Sequence, residues 1–401
     1  MKQTESTNKT SIFLLLYISY VTIYVARLNL SMASPAMLEQ GVLSALELGF
    51  IGSAFSVVYA CGRLFNGIIG DRLAPKLLIA TGLLLTGATN LLIGFLPPYI
   101  LILTLWCFNA FGQSMLWSAI LRTMTDVYGK EQASGKVPIL VSSVSAGNIA
   151  GILVSSQLVS TFGISAAFFI PGMLTVLSGL AVLYVLPLHS TSGQTQAGVF
   201  PFRKLFLDKQ IRGILLPSMF HGAMKDNISL WMAVYFLSRF SVDLEQSAWY
   251  VLLIPTAGLL GRLIYPTCYK LLGRRENLLS VIGFILCAAL AVVLCLPLES
   301  PLLAAVCLSL IYAFVSMINT SILSMFPLRF TSKNMVSSVS GITDFATYLG
   351  AGIASAVYGF WIEGGIRGYL YMFISWVVLS ILSILILMGQ HPLKKAVDEN
   401  D

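Results

Sequence analysis

Arg27 lies inside an otherwise apolar run, 11–35, and Lys225 occupies the matching place 198 residues later, where Arg27-Leu28-Asn29-Leu30-Ser31 is echoed by Lys225-Asp226-Asn227-Ile228-Ser229. A cation at bilayer depth costs at least ~2.5–3.5 kcal/mol on insertion scales, so it faces a watery cavity, a counter-charge or an anionic ligand. Two such cations related by an internal repeat point to an anion site assembled from two halves. Tyr20 and Tyr24 precede Arg27 by seven and three residues and share its helical face, which makes them candidate lining groups. Arg63, in the second apolar run, is a further candidate, as is His221, one turn before Lys225. Asp226 can neutralise Lys225, although neighbours on a helix diverge by about 100°. Asp344, four residues before Tyr348 and on its face, supplies a carboxylate that either pairs with Lys225 or carries a proton. Tyr348 completes the candidate binding residues.

The elements that must position these side chains follow from composition. With 57% hydrophobic and only 10% charged residues among 401, the chain cannot dress a water-soluble surface. Runs long enough to span a bilayer are read at 11–35, 48–69, 77–97, 99–123, 137–160, 165–187, 211–237, 246–268, 278–297, 302–325, 336–360 and 369–389. The fifth and eleventh are rich in Ser, Gly and Ala, which lowers hydropathy while allowing close helix packing. The expected fold is therefore an all-α membrane protein of twelve transmembrane helices.

Loop cations gather on one side, from Lys2, Lys9 and Lys76 through Arg203 and Lys204 to Lys394 and Lys395, against Arg239 and Arg367 on the other. This asymmetry predicts that both termini are cytoplasmic. The net charge of +7 is thus a topology signal, and no nucleic-acid partner is expected. Met1–Thr10 is short and polar and no small-residue cleavage site follows, so the first span is expected to be retained. The six cysteines show no Cys-x-x-Cys spacing and the three histidines are scattered, so neither metal nor cofactor is expected; no nucleophile or phosphate-binding glycine loop suggests an enzyme.

The most polar internal stretch, His189–Gln196, runs into the basic segment Phe202–Arg212 and divides six spans from six. Two further echoes cross that divide: Gly62-Arg63-Leu64 recurs as Gly261-Arg262-Leu263, 199 residues on, and Ser142-Ser143-Val144-Ser145 as Ser337-Ser338-Val339-Ser340, 195 residues on. The expected organisation is two pseudo-symmetric six-helix halves, 1–188 and 211–401, joined by a cytoplasmic linker, 189–210.

The stretch Gly67-Ile68-Ile69-Gly70-Asp71-Arg72-Leu73-Ala74-Pro75-Lys76 resembles the cytoplasmic latch of the major facilitator superfamily. Its Asp-Arg-x-x-Pro-Lys ending is similar to the organophosphate:phosphate antiporter branch, as are Tyr20, Tyr24, Arg27, Asn29 and Pro35, Arg63, then Gly112, Gln113, Trp117, Arg122, Thr123, Met124, Lys130, Glu131 and Gly135, and Tyr348-Leu349-Gly350. The pattern around Arg27 is also similar to the anion:cation symporter branch. The resemblance implies a secondary transporter of a small organic anion, a carboxylate or a phosphate ester, that works by alternating access with a proton or phosphate as second substrate. It implies a monomer in a cytoplasmic (inner) membrane, and a latch comprising Asp71, Arg72, Arg122 and Glu131. Three departures bear on the substrate. Lys225 stands where phosphate antiporters usually carry arginine, Gly147 where they carry histidine, and Asp344 where the pattern is glycine-like; together they shift weight toward a singly charged anion with proton coupling. Organophosphate:phosphate exchange is the alternative, and a non-transporting sugar-phosphate sensor the further one.

Overall fold

The computed structural model describes residues 2–70, 73–186, 208–330 and 336–389. Its long helices are α1 Lys2–Glu39, α2 Ala45–Gly70, α3 Pro75–Ile93, α4 Tyr99–Ser114, α5 Leu116–Phe162, α6 Ile164–Val185, α7 Lys209–Phe240, α8 Leu244–Leu271, α9 Glu276–Cys295, α10 Pro301–Thr320, α11 Val336–Glu363 and α12 Arg367–Gly389. The fold is that of an all-helical, twelve-span membrane protein. Among the described residues eleven segments are long and apolar enough to cross a bilayer, with α4 and the start of α5 forming one of them, Tyr99–Tyr128, and the rest of α5 another, Ile139–Phe162. The twelfth is α7, whose middle carries His221, Lys225, Asp226 and Asn227 and is correspondingly less apolar.

Local chemistry explains where these helices stop. Asp208 accepts from the backbone N–H groups of Gln210 and Ile211 to start α7, and Asp243 from that of Gln246 to start α8. Pro75 and Pro301 open α3 and α10, where a missing N–H costs nothing. Gly163, at φ +84°, turns the chain from α5 into α6, and Gly365, at φ +101°, turns it from α11 into α12; both need backbone freedom that side-chain-bearing residues lack. Beyond Thr320 the α10 axis continues through a π turn, Ser321–Met325, and a last turn, Phe326–Leu328.

The chain divides into two compact units, Met1–Ser44 with Ala54–Ala197, and Ala45–Ser53 with Gly198–Asp401. The expected linker, 189–210, lies outside the described residues up to 207. In unit 1 a core of Leu16, Tyr20, Ile79, Leu83, Ile120 and Leu140 joins α1, α3 and α5. Asn29, fully buried, donates to Asn90 Oδ1 at 2.7 Å and to the Ala167 carbonyl at 2.9 Å, so its amide ties α1 to α3 and α6. In unit 2 the corresponding amide, Asn227, donates to the Ala351 carbonyl at 3.2 Å and ties α7 to α11. Leu174, Leu177, Leu180, Leu263, Ile353 and Leu385 face outward, as lipid contact requires.

Candidate functional site

In unit 1 the anion-binding candidates gather on α1 and α2. Arg27 is half-buried, and its guanidinium carbon lies 4.6 Å from the Phe55 ring centroid and 5.2 Å from that of Tyr59. Arg63, one turn beyond Tyr59 on α2, approaches the same Tyr59 ring at 5.8 Å. Phe55, Tyr59 and Arg63 are spaced at i, i+4 and i+8, so a single helical face delivers all three. Tyr20 and Tyr24 meet edge to face at 5.5 Å, and Tyr20 also packs on Trp117 at 5.2 Å. Tyr20 is buried and Tyr24 half-buried, so of the two Tyr24 keeps more of its surface open.

Gly147 explains how α1 comes close enough to α5 for this. A Cβ at that position would stand 2.6 Å from the Tyr24 Cβ, and one at Gly151 would stand 3.1 Å from the Leu28 Cβ. The glycine that replaces the resemblance's histidine therefore serves packing beside Tyr24.

In unit 2 the arrangement is different. Lys225 Nζ lies 3.3 Å from Asp226 Oδ1, with both side chains largely buried at 16% and 22% exposure, and 5.3 Å from the Tyr348 ring centroid. The roughly 100° between neighbours on a helix does not keep the pair apart, because a lysine stem is long enough to curl back. Tyr348 is brought to Lys225 by a glycine seam: a Cβ at Gly222 would stand 1.9 Å from the Thr347 carbonyl oxygen, and one at Gly350 2.0 Å from that of Met219. Backbone thus meets backbone where α7 crosses α11. Asp344 is half-buried one turn before Tyr348. His221 is 0% exposed, inside the α7 packing and away from any solvent-facing surface.

Of the expected latch, Asp71 and Arg72 lie outside the described residues and so does the side chain of Glu131. Arg122 donates to the Leu73 carbonyl at 3.4 Å, just before α3 begins. Unit 2 holds an analogous contact that sequence reasoning missed: Arg329, at the end of the α10 axis, pairs with Glu276, the first residue of α9, and lies over the Phe326 ring at 5.5 Å. Phe55 and Tyr59 were missed as well, although their four-residue spacing to Arg63 is visible in the chain.

The Major Facilitator Superfamily model matches residues 16–355. The glycerol-3-phosphate transporter of Bacillus subtilis is 25% identical, over 93% of this chain and 91% of that protein. A probable hexose phosphate transport protein of Chlamydia muridarum is also 25% identical, but the alignment spans 44% of this chain and only 38% of the relative's length. A crystal structure of the nucleoside transporter NupG superposes with a TM-score of 0.76 at 17% identity, over 94% of this chain and 98% of that one, a likeness of fold.

Proposed function

The chain belongs to the major facilitator superfamily, and on that premise we propose that it is a secondary transporter that moves a small organic anion, a phosphate ester foremost, across a cytoplasmic membrane by alternating access. The observation that carries this reading is the pairing of two guanidiniums, Arg27 and Arg63, on one Tyr59 ring inside membrane-spanning helices. Cations placed at such depth mark candidate substrate pathways. The near full-length similarity to a glycerol-3-phosphate transporter supports the phosphate-ester class.

In this mechanism Arg27 and Arg63 attract the anionic head, where reduced dielectric makes Coulomb attraction stronger than in water. Tyr24, one turn before Arg27 on α1, offers its hydroxyl. Lys225 exchanges Asp226 for the substrate anion, so that loading removes one internal ion pair and forms another. The loop-charge asymmetry supports a topology with both termini in the cytoplasm.

Uptake into proteoliposomes tests the reading. Preloaded inorganic phosphate is expected to drive entry of glycerol-3-phosphate, and Arg27→Ala to abolish it. The second reading, proton-coupled carboxylate uptake, draws on the carboxylates Asp226 and Asp344 beside Lys225 and Tyr348. It wins if an inward pH gradient alone drives uptake and Asp344→Asn loses it. Transport of neither substrate class by the wild type would sink both.

A further inference from the structure

We propose that the end of the α10 axis, Phe326–Phe330, is a hinged segment that swings about the π turn Ser321–Met325 during turnover, and that the Ser340 hydroxyl on α11 is the clasp that docks it. The inference rests on the secondary-transport reading and deepens it by naming a part of unit 2 that moves.

Pro327 is the cause of the hinge. It has no N–H to donate to the carbonyl four residues back, that of Leu323, and in a regular helix its ring would crowd that same carbonyl. The chain answers by widening: the Phe326 N–H bonds to the Ser321 carbonyl, five residues back rather than four. The carbonyl that Pro327 cannot serve is the one that Ser340 reaches, its Oγ donating to the Leu323 oxygen at 3.3 Å. A backbone bond within α10 is thus replaced by a side-chain bond from α11. Tyr265 on α8 makes a second contact of this kind, its hydroxyl lying 3.2 Å from Ser321 Oγ, and Arg329 pairs with Glu276 on α9.

The body of α10 is held differently. A Cβ at Gly261 would stand 2.5 Å from the Ala313 carbonyl oxygen, and one at Gly283 2.9 Å from the Ile318 side chain, so α8 and α9 grip α10 at close range before the π turn. Beyond it, hydroxyls and an ion pair tie the segment to its neighbours, and such contacts release and re-form without repacking a helix crossing. Phe326 and Phe330 are buried, at 1% and 2% exposure, so the structure shows the segment docked.

Hydrogen–deuterium exchange of the purified full chain in detergent reads the hinge by comparing the amides of 324–330 with those of 311–318. Wild type is expected to exchange the first stretch about tenfold or more faster than the second. Ser340→Ala should speed it by a further two- to tenfold or so, about the net worth of one hydrogen bond, and leave 311–318 unchanged. Tyr265→Phe, which deletes the other hydroxyl contact, should act as Ser340→Ala does and decides the matter should another variant fail to fold. Pro327→Ala restores a donor to the Leu323 carbonyl and should slow exchange, and in its background Ser340→Ala should no longer matter. In proteoliposomes Pro327→Ala should slow exchange of phosphate for phosphate by about tenfold while titration with inorganic phosphate gives the wild-type Kd, because a hinge acts on the conformational step. Uniform amide exchange along α10, or wild-type exchange in Ser340→Ala, would overturn the hinge with the transport reading still standing. Undiminished transport in Pro327→Ala despite slowed amide exchange would overturn its part in turnover. A wild type that moves neither phosphate nor carboxylates would remove the transport reading, and that part with it.

Discussion

The two units carry their cations in different company. In unit 1 arginines rest on ring faces, Arg27 at 4.6 Å from Phe55 and Arg63 at 5.8 Å from Tyr59, whereas in unit 2 Lys225 lies 3.3 Å from the Asp226 carboxylate and beside the Tyr348 ring. A ring face attracts a cation through its quadrupole, whereas an adjacent carboxylate offsets its charge directly. The repeat that placed a cation in each half thus did not give the two the same surroundings, and on the proposed reading Arg27 binds the anion while Lys225 exchanges Asp226 for it.

The sharpest way to break this contrast is to delete each cation in turn. Arg27→Ala should lower phosphate-driven uptake by about 10²-fold or more, the scale of truncating a desolvated charge contact, and Lys225→Ala by only about tenfold, because Asp226 already offsets its charge. Initial-rate uptake in proteoliposomes at matched protein density measures both. A larger loss in Lys225→Ala would invert the assignment of roles.

A smaller effect, on stability, sharpens the comparison at the helix crossings that carry the two sites. Gly222→Ala forces a methyl hard against the Thr347 carbonyl, while Gly147→Ala meets the Tyr24 Cβ and, less closely, the Val21 backbone. Overpacking typically costs ~1–3 kcal/mol, and Gly222→Ala should sit at the upper end and Gly147→Ala at the lower. Thermal unfolding of the two variants in the same detergent reads the difference; equal shifts would mean that the α1/α5 crossing is as rigid as the α7/α11 one.

The smallest expected change is a gain. Asp226→Asn removes the carboxylate beside Lys225 while keeping its shape, and should tighten phosphate binding by about two- to fivefold, the scale of a weak ion pair. Titration of the variant checks it. Weaker binding would show that Asp226 contacts the ligand or orders Lys225.

Much of the fold was legible before any coordinates. Spans are written in apolar runs, because bilayer thickness sets their length and lipid tolerates no unsatisfied backbone. The weak eleventh run proved a full helix, since its glycines and serines serve close packing at Gly350 and Gly359. The candidate site was legible in part. Arg27, Lys225, Tyr348 and Arg63 stood out as charge or aromatic groups in apolar surroundings. Phe55 and Tyr59 did not, since aromatics are common in membrane helices and only contact with a cation separates such a ring from lipid-facing bulk. Glu276 and Arg329 escaped because they are 53 residues apart and each sits among ordinary loop charges.

Hydropathy, charge asymmetry and the repeat near 198 residues are one-dimensional properties, so the sequence by itself determined the solvent, the number of spans and the two cations deep in the membrane. Tertiary structure alone decided what each cation touches. Contact depends on which faces of two helices meet and how closely, and that is set by backbone seams such as Gly222 on Thr347 and Gly147 on Tyr24. A lysine can reach its own neighbour or a distant ring with equal ease along the chain; packing of α7 on α11 leaves Lys225 with both Asp226 and Tyr348.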